Sequence, residues 1–150
     1  MARRAVVDAS LMIDLYAAPS EKRAQIAEEV ATWIMKGLVE AYAPKLLIVE
    51  VAGVLSRYLS KEELDLVLDT LPSTKLVPEE TLYKEALRVA RETGSRAADA
   101  YYIAVASIVG GTLLTNDKKQ ARNARKAGIK AYYLIEEIEK AKRDLLSPST

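Results

Sequence analysis

Two short apolar runs, Ala5-Val6-Val7 and Thr112-Leu113-Leu114-Thr115, each stop within two residues of an aspartate, and helical periodicity follows both. Runs this short suit buried strands, not helices. Arg4 to Asp8 reads as the first strand, with Ser10 placed to cap a helix through about Ala17 and Pro19 ending it. Ser20 opens a second helix, carried by Ile26, Val30, Trp33 and Ile34 and stopped by Gly37. From Pro44, a permitted first-turn position, the spacing of Leu47, Val51, Val54, Leu55 and Tyr58 predicts a third. Ser60 and Glu63 have capping-box spacing for a helix to about Leu71, Lys75 to Val77 reads as a strand, and Pro78 to Gly94 brackets another helix. Arg96 to Val109 is a nearly all-apolar helix, Thr112 to Thr115 a strand, and Lys118 to Ala127 a basic helix. Ile129 to Leu134 is the last strand and Ile135 to Leu146 a charged helix. Strands alternating with helices, without hairpin turn signals, predict one parallel α/β sheet. No repeat or linker divides the chain: residues 1–146 read as one domain and 147–150 as a frayed tail.

With 150 residues, half of them hydrophobic, the chain is long enough for a real core and excludes a disordered tail protein. The 22 basic and 21 acidic residues nearly cancel, so any nucleic-acid footprint must be local. Zero cysteines exclude disulfides and thiol catalysis and fit a reducing cytoplasm. No window supplies the roughly 20 apolar residues of a membrane helix, and Asp8 and Asp14 break the apolar stretch that imitates a signal peptide. The expectation is a cytoplasmic protein without membrane association.

Asp8, Glu50, Asp99 and Asp117 each sit inside or at the end of an apolar run. A buried, unpaired carboxylate is costly, so such acids need a shared partner. Without histidine or cysteine the natural one is a hard divalent cation, Mg²⁺ or Mn²⁺, bound through oxygen. Asp8 and Asp117 project from the carboxyl edge of the expected sheet, where open α/β folds bind ligands. Glu50 and Asp99 are placed to lean over that edge from helices. Each acid taken singly has a plainer role, as a helix cap, first-turn acid or helix-surface group; the set of four makes a site. Ser10 and Thr115 are placed to hold a carboxylate or a water, and Asp14 reads as a helix-surface acid outside the site.

Val6-Val7-Asp8-Ala9-Ser10, Glu50 within Leu46 to Leu55, Ala98-Asp99-Ala100-Tyr101-Tyr102-Ile103-Ala104, and Leu113-Leu114-Thr115-Asn116-Asp117 resemble the motifs of PIN-domain ribonucleases. Their order and spacing look most like the VapC-type toxins of toxin–antitoxin pairs. The resemblance covers nearly the whole chain, except that Leu59 to Thr93 carries little of it. It implies a central parallel sheet flanked by helices, Mg²⁺- or Mn²⁺-dependent endoribonuclease activity giving 5′-phosphate and 3′-hydroxyl ends, a homodimer, and a small antitoxin that blocks the site. Asp8, Glu50, Asp99 and Asp117 match the family's acidic quartet; Ser10, Thr115 and Asn116 match its polar support.

Without histidine the chain has no imidazole acid/base route to RNA cleavage. Lys118, Lys119, Arg122 and Arg125, with Lys126 beside them, follow Asp117 and are candidates to meet RNA phosphates, with Arg3, Arg4 and Arg96 adding to the field. Most of the eight tyrosines, Tyr101 and Tyr102 among them, read as core or interface. Three alternatives remain open at this point. One is a Mg²⁺-dependent phosphatase-like hydrolase with Asp8 as nucleophile, which would favour an acid where Ser10 stands. Another is a non-catalytic RNA- or partner-binding module, and the last is a dimerisation protein whose acids only cap helices.

Overall fold

The computed structural model describes residues 2–148. Ser149 and Thr150 of the expected tail lie outside the described residues. Five parallel strands form one sheet: β1 (Arg3–Val7), β2 (Val39–Pro44), β3 (Lys75–Val77), β4 (Thr112–Thr115) and β5 (Ala131–Tyr133), in the order β3-β2-β1-β4-β5. Among the described residues eight helices connect them: α1 (Ala9–Ala17), α2 (Glu21–Met35), α3 (Leu47–Leu55), α4 (Lys61–Asp69), α5 (Glu79–Thr93), α6 (Ala97–Val109), α7 (Lys118–Lys126) and α8 (Leu134–Leu146). The expected fold class, a single parallel α/β domain, is the one observed.

Right-handed crossovers dictate the layers. From β1 the chain steps outward to β2 and β3, so its crossover helices lie on one face; it then returns past β1 to β4 and moves the other way to β5, which puts α5, α6 and α7 on the other face. In keeping with this, α1 packs on α2 and α3, and α2 on α8, while α5 packs on α6 and α7. Helix α6 crosses β1, β2 and β4 and buries Ala100 and Tyr102 through Ala106, which is why its sequence is apolar almost all round. It ends at Gly110 in the left-handed conformation (φ 66°), and a Cβ on the next residue, Gly111, would stand 3.2 Å from the Arg4 carbonyl oxygen.

Three local expectations are corrected. Pro44 does not open a helix; it closes β2, a strand the periodicity did not predict, and α3 starts at Leu47. Ser10 does not cap α1: Asp8 occupies the cap position, without a side-chain capping bond, and Ser10 lies in the first turn. Arg3 and Arg4 begin β1 and so stand at the sheet edge opposite Asp8, where Arg3 meets Asp144 at 3.6 Å and Arg4 donates to the Val109 carbonyl. They add nothing to the field at the carboxyl edge. The capping box at Ser60 and Glu63 is present as expected.

Candidate active site

Because β1 is followed outward by β2 on one side and flanked by the later β4 on the other, the sheet's switch point is the crevice beyond the carboxyl ends of β1 and β4. Register places the two ends together: Val7 pairs with Leu114, and the Asp8 amide donates to the Leu114 carbonyl at 3.1 Å. Asp8 leaves β1 there, and Thr115, Asn116 and Asp117 leave β4.

Asp8 is buried, with 6% of its surface exposed, and its Oδ2 accepts from Thr115 Oγ1 at 2.5 Å and Ser10 Oγ at 3.2 Å. Its carboxyl is pushed up from 3.8 to about 7, first by desolvation; the two hydroxyls oppose that rise, while the charges of Asp99 and Glu50 add to it. Glu50, on the first turn of α3, and Asp99, on the first turn of α6, are half-buried. Burial raises both; Asp99 raises Glu50 further, against the lowering by the Tyr102 hydroxyl, and Asp117 raises Asp99 further, against Arg96 and Lys119. The quartet is therefore electrostatically linked: Asp8 senses Glu50 and Asp99, and Asp99 senses Asp117.

Tyr102 belongs to the core, as expected, but its hydroxyl is turned to the acids. The residue is 1% exposed, and desolvation, then Glu50, Asp8 and Asp99, push its phenol well up, so it stays neutral. Neither that hydroxyl nor Glu50 Oε1 makes a hydrogen bond of normal geometry, which leaves two buried polar atoms facing the site without partners.

The polar support comes from the β4–α7 turn. Thr115, fully buried, donates to Asp8 while its Oγ1 accepts the Asp117 amide at 2.9 Å. Asp117 is exposed and caps α7, its Oδ1 accepting from the amides of Lys119 and Gln120 at 2.9 and 3.3 Å. Asn116 is buried; its amide donates to Ser10 Oγ at 3.1 Å and its Nδ2 to Asp14 Oδ2 at 2.8 Å. Gln120, also buried, donates to the Asp99 carbonyl at 3.0 Å and so ties α7 to α6.

Asp14 was the residue sequence reasoning missed. It is not a helix-surface acid but buried, at 2% exposure, gripped by Arg23 through Nε at 2.8 Å and Nη2 at 3.2 Å. The available signal was its position three residues after Leu11, on the buried side of α1.

Of the basic candidates, Lys119 and Arg122 are exposed and Lys119 acts on Asp99. Lys118 lies 3.7 Å from Glu136. Arg125 is engaged elsewhere: it donates to the Ala131 carbonyl through Nε and Nη2 at 3.2 and 2.8 Å, and its Nη2 meets Glu137 at 2.5 Å. Arg96, just before α6, adds a positive field at Asp99 as expected.

No group of three acidic side chains is preformed as a cage for a metal among the described residues. The donor set nonetheless suits a small hard cation: all-oxygen ligands, acids whose ionisation repels one another, and an orphaned Glu50 oxygen. Mg²⁺ keeps several of its waters and takes one or two carboxylates plus substrate phosphates, which does not require an all-protein cage.

Comparison with known proteins agrees with this architecture. The family model for the PIN domain matches residues 5–126. Among solved structures, the chain is similar to that of PAE2754 from Pyrobaculum aerophilum, at 23% identity and a TM-score of 0.60 over 99% of this chain and 98% of that one. It is also similar to FitAB bound to an IR36 DNA fragment (13% identity, TM-score 0.60, 85% of this chain and 93% of that one) and to FitAcB from Neisseria gonorrhoeae (15%, 0.57, 85% and 96%). Likeness at these identities concerns the fold. No curated protein matches the chain.

Proposed function

The chain belongs to the PIN domain family, generally metal-dependent nucleases, and from that premise we propose that it is a Mg²⁺- or Mn²⁺-dependent endoribonuclease acting as the toxin of a toxin–antitoxin pair. One observation carries the reading: Asp8 is buried at the switch point within electrostatic reach of Glu50 and Asp99, and no salt bridge among the described residues neutralises any of the four acids. Asp8, Glu50, Asp99 and Asp117 would hold the ion. When bound, a divalent cation offsets their charge, activates water and stabilises charge developing on a phosphate.

The chain's own residues supply the rest. Thr115 and Ser10 fix the orientation of the Asp8 carboxylate, and the amides at the start of α7 fix that of Asp117. Lys119, Arg122, Lys126 and Arg96 are the candidate cations without an ion pair among the described residues and so available to meet RNA phosphates, with Lys118 at the margin. Arg125 contributes by holding β5 against α7. Residues 1–146 act as the nuclease domain. The toxin assignment, a homodimer and a blocking antitoxin rest on the motif resemblance to VapC-type toxins, and a cytoplasmic setting on the absence of cysteine from the sequence. No helix among the described residues is long and apolar enough to cross a membrane.

The test is incubation of purified protein with fluorescent single-stranded RNA, and DNA of the same sequence, in Mn²⁺ or Mg²⁺. RNA cleavage abolished by EDTA and by Asp117→Asn is the expected result. Metal-dependent thermal stabilisation without cleavage of several RNAs would favour a binding module instead. No response to metal of either kind would sink the site.

A further inference from the structure

Asp14 makes no contact with the acidic quartet, yet it is the most deeply buried acid among the described residues and terminates a hydrogen-bonded path that ends on Asp8. Arg23, on α2, grips both of its oxygens; one of them, Oδ2, also accepts from the Asn116 side chain. A carboxylate only accepts, so Asn116 must present its NH₂ to Asp14, and its own Oδ1 is left buried without a partner. The Asn116 backbone then donates to Ser10, Ser10 donates to Asp8, and the adjoining Asp117 amide rests on Thr115, which also donates to Asp8.

We propose that Asp14, held by Arg23, is a positioning residue that sets the Thr115–Asp117 turn through Asn116 and thereby fixes Asp117 relative to Asp8. This rests on reading those acids as a divalent-cation site. The geometry favours such a role because the α7 amides orient the exposed Asp117 side chain only with respect to its own helix, whereas the Asp14–Arg23 pair joins α1 to α2 in the packed layer and reaches the turn itself through Asn116. Backbone precision at the turn is thus borrowed from two helices. Arg23 retains partial exposure, so the pair reaches from solvent to the buried Asn116 without isolating a charge.

The experiment measures Mn²⁺ affinity by electron paramagnetic resonance and amide exchange at Asn116 and Asp117 in metal-free protein, for the wild type, Asn116→Ala, Asp14→Ala and the double variant. Asn116→Ala leaves Asp14 paired with Arg23 and keeps the test alive if Asp14→Ala folds poorly. The expected result is faster exchange at the turn and Mn²⁺ binding weakened about 10–100-fold in each single variant, with the double variant no weaker than either. Wild-type affinity in both single variants would overturn the proposal, as would losses that multiply in the double variant, because Asp14 would then act by another route. Faster exchange in a protein whose wild type binds no Mn²⁺ would sink the reading of the acids while leaving the clamp standing; unchanged exchange would overturn the clamp.

Discussion

Replacing Asp8 with Asn should make the metal-free protein more stable at pH 8, the opposite of what removing a helix-capping acid would do. In the unfolded chain the Asp8 carboxyl ionises near its ordinary 3.8; in the folded protein burial carries it to about 7, with the hydroxyls of Thr115 and Ser10 only partly offsetting desolvation and the charges of Asp99 and Glu50. Between those values the folded state binds the extra proton, so stability falls as pH rises through the interval, and the whole penalty is present above 7. At ~1.36 kcal/mol per pH unit it amounts to about 4 kcal/mol. Asn is neutral at every relevant pH and keeps an oxygen for the Thr115 hydroxyl, but must also place an NH₂ group, so roughly half, about 2 kcal/mol, should be recovered. For a domain of this size that is a rise of about 4–8 °C in Tm. Thermal unfolding in EDTA at pH 8 and pH 4.5 reads it directly: the gain should be present at pH 8 and reversed at pH 4.5, where the ionisation penalty has shrunk to about 1 kcal/mol and no longer offsets the cost of placing the NH₂ group. Adding Mn²⁺ should reverse the order, stabilising the wild type and not the variant. A variant less stable than the wild type at pH 8 in EDTA would refute the reasoning and return Asp8 to a structural role.

Other side chains separate holding the fold from holding a ligand. Arg125→Ala, which loses the Ala131 carbonyl and Glu137, should cost about 1–2 kcal/mol in denaturant unfolding and leave RNA affinity unchanged, whereas Arg122→Ala or Lys119→Ala should leave stability unchanged and reduce the salt dependence of RNA binding by filter assay. Tyr102→Phe removes a buried hydroxyl that acts on Glu50 without reaching normal hydrogen-bond geometry, so metal-free stability should be unchanged or up to about 1 kcal/mol higher; a loss of that size instead would show that the phenol bonds Glu50 fully. Ser60→Ala breaks the α4 capping box and should cost about 1 kcal/mol in the same unfolding assay, with no effect on Mn²⁺ binding.

Where local chemistry and tertiary context agree, the sequence was readable. The capping box at Ser60, the left-handed glycines that end α5 and α6, and the apolar run of α6 each arise within a few residues, and each appears where expected. Strand β2 did not, because Val39, Ala41 and Ala43 face the core while Glu40 and Tyr42 stand half-buried. Alanine is a weak strand former, and Pro44 imitates a helix start. Proline is tolerated there because the pairing register with β1 runs only to Tyr42, so Pro44 owes no ladder donor to that neighbour. At the site, apolar flanks marked the four acids, but partners distant in sequence were invisible. Asp14 meets Arg23 and Asn116, the latter 102 positions away, and Arg125 is taken by Ala131 and Glu137 across β5. Charge on a helix face says nothing of which cation is already spoken for.

Mn²⁺-soaked crystals, measured at the manganese absorption edge, test the central claim most directly. An anomalous peak in the crevice beyond β1 and β4, within coordinating distance of Asp8 and at least one of Glu50, Asp99 and Asp117, is the expected result, lost in Asp8→Asn. A peak elsewhere, or none at Mn²⁺ concentrations that saturate any thermal stabilisation, would contradict a metal centre at the switch point.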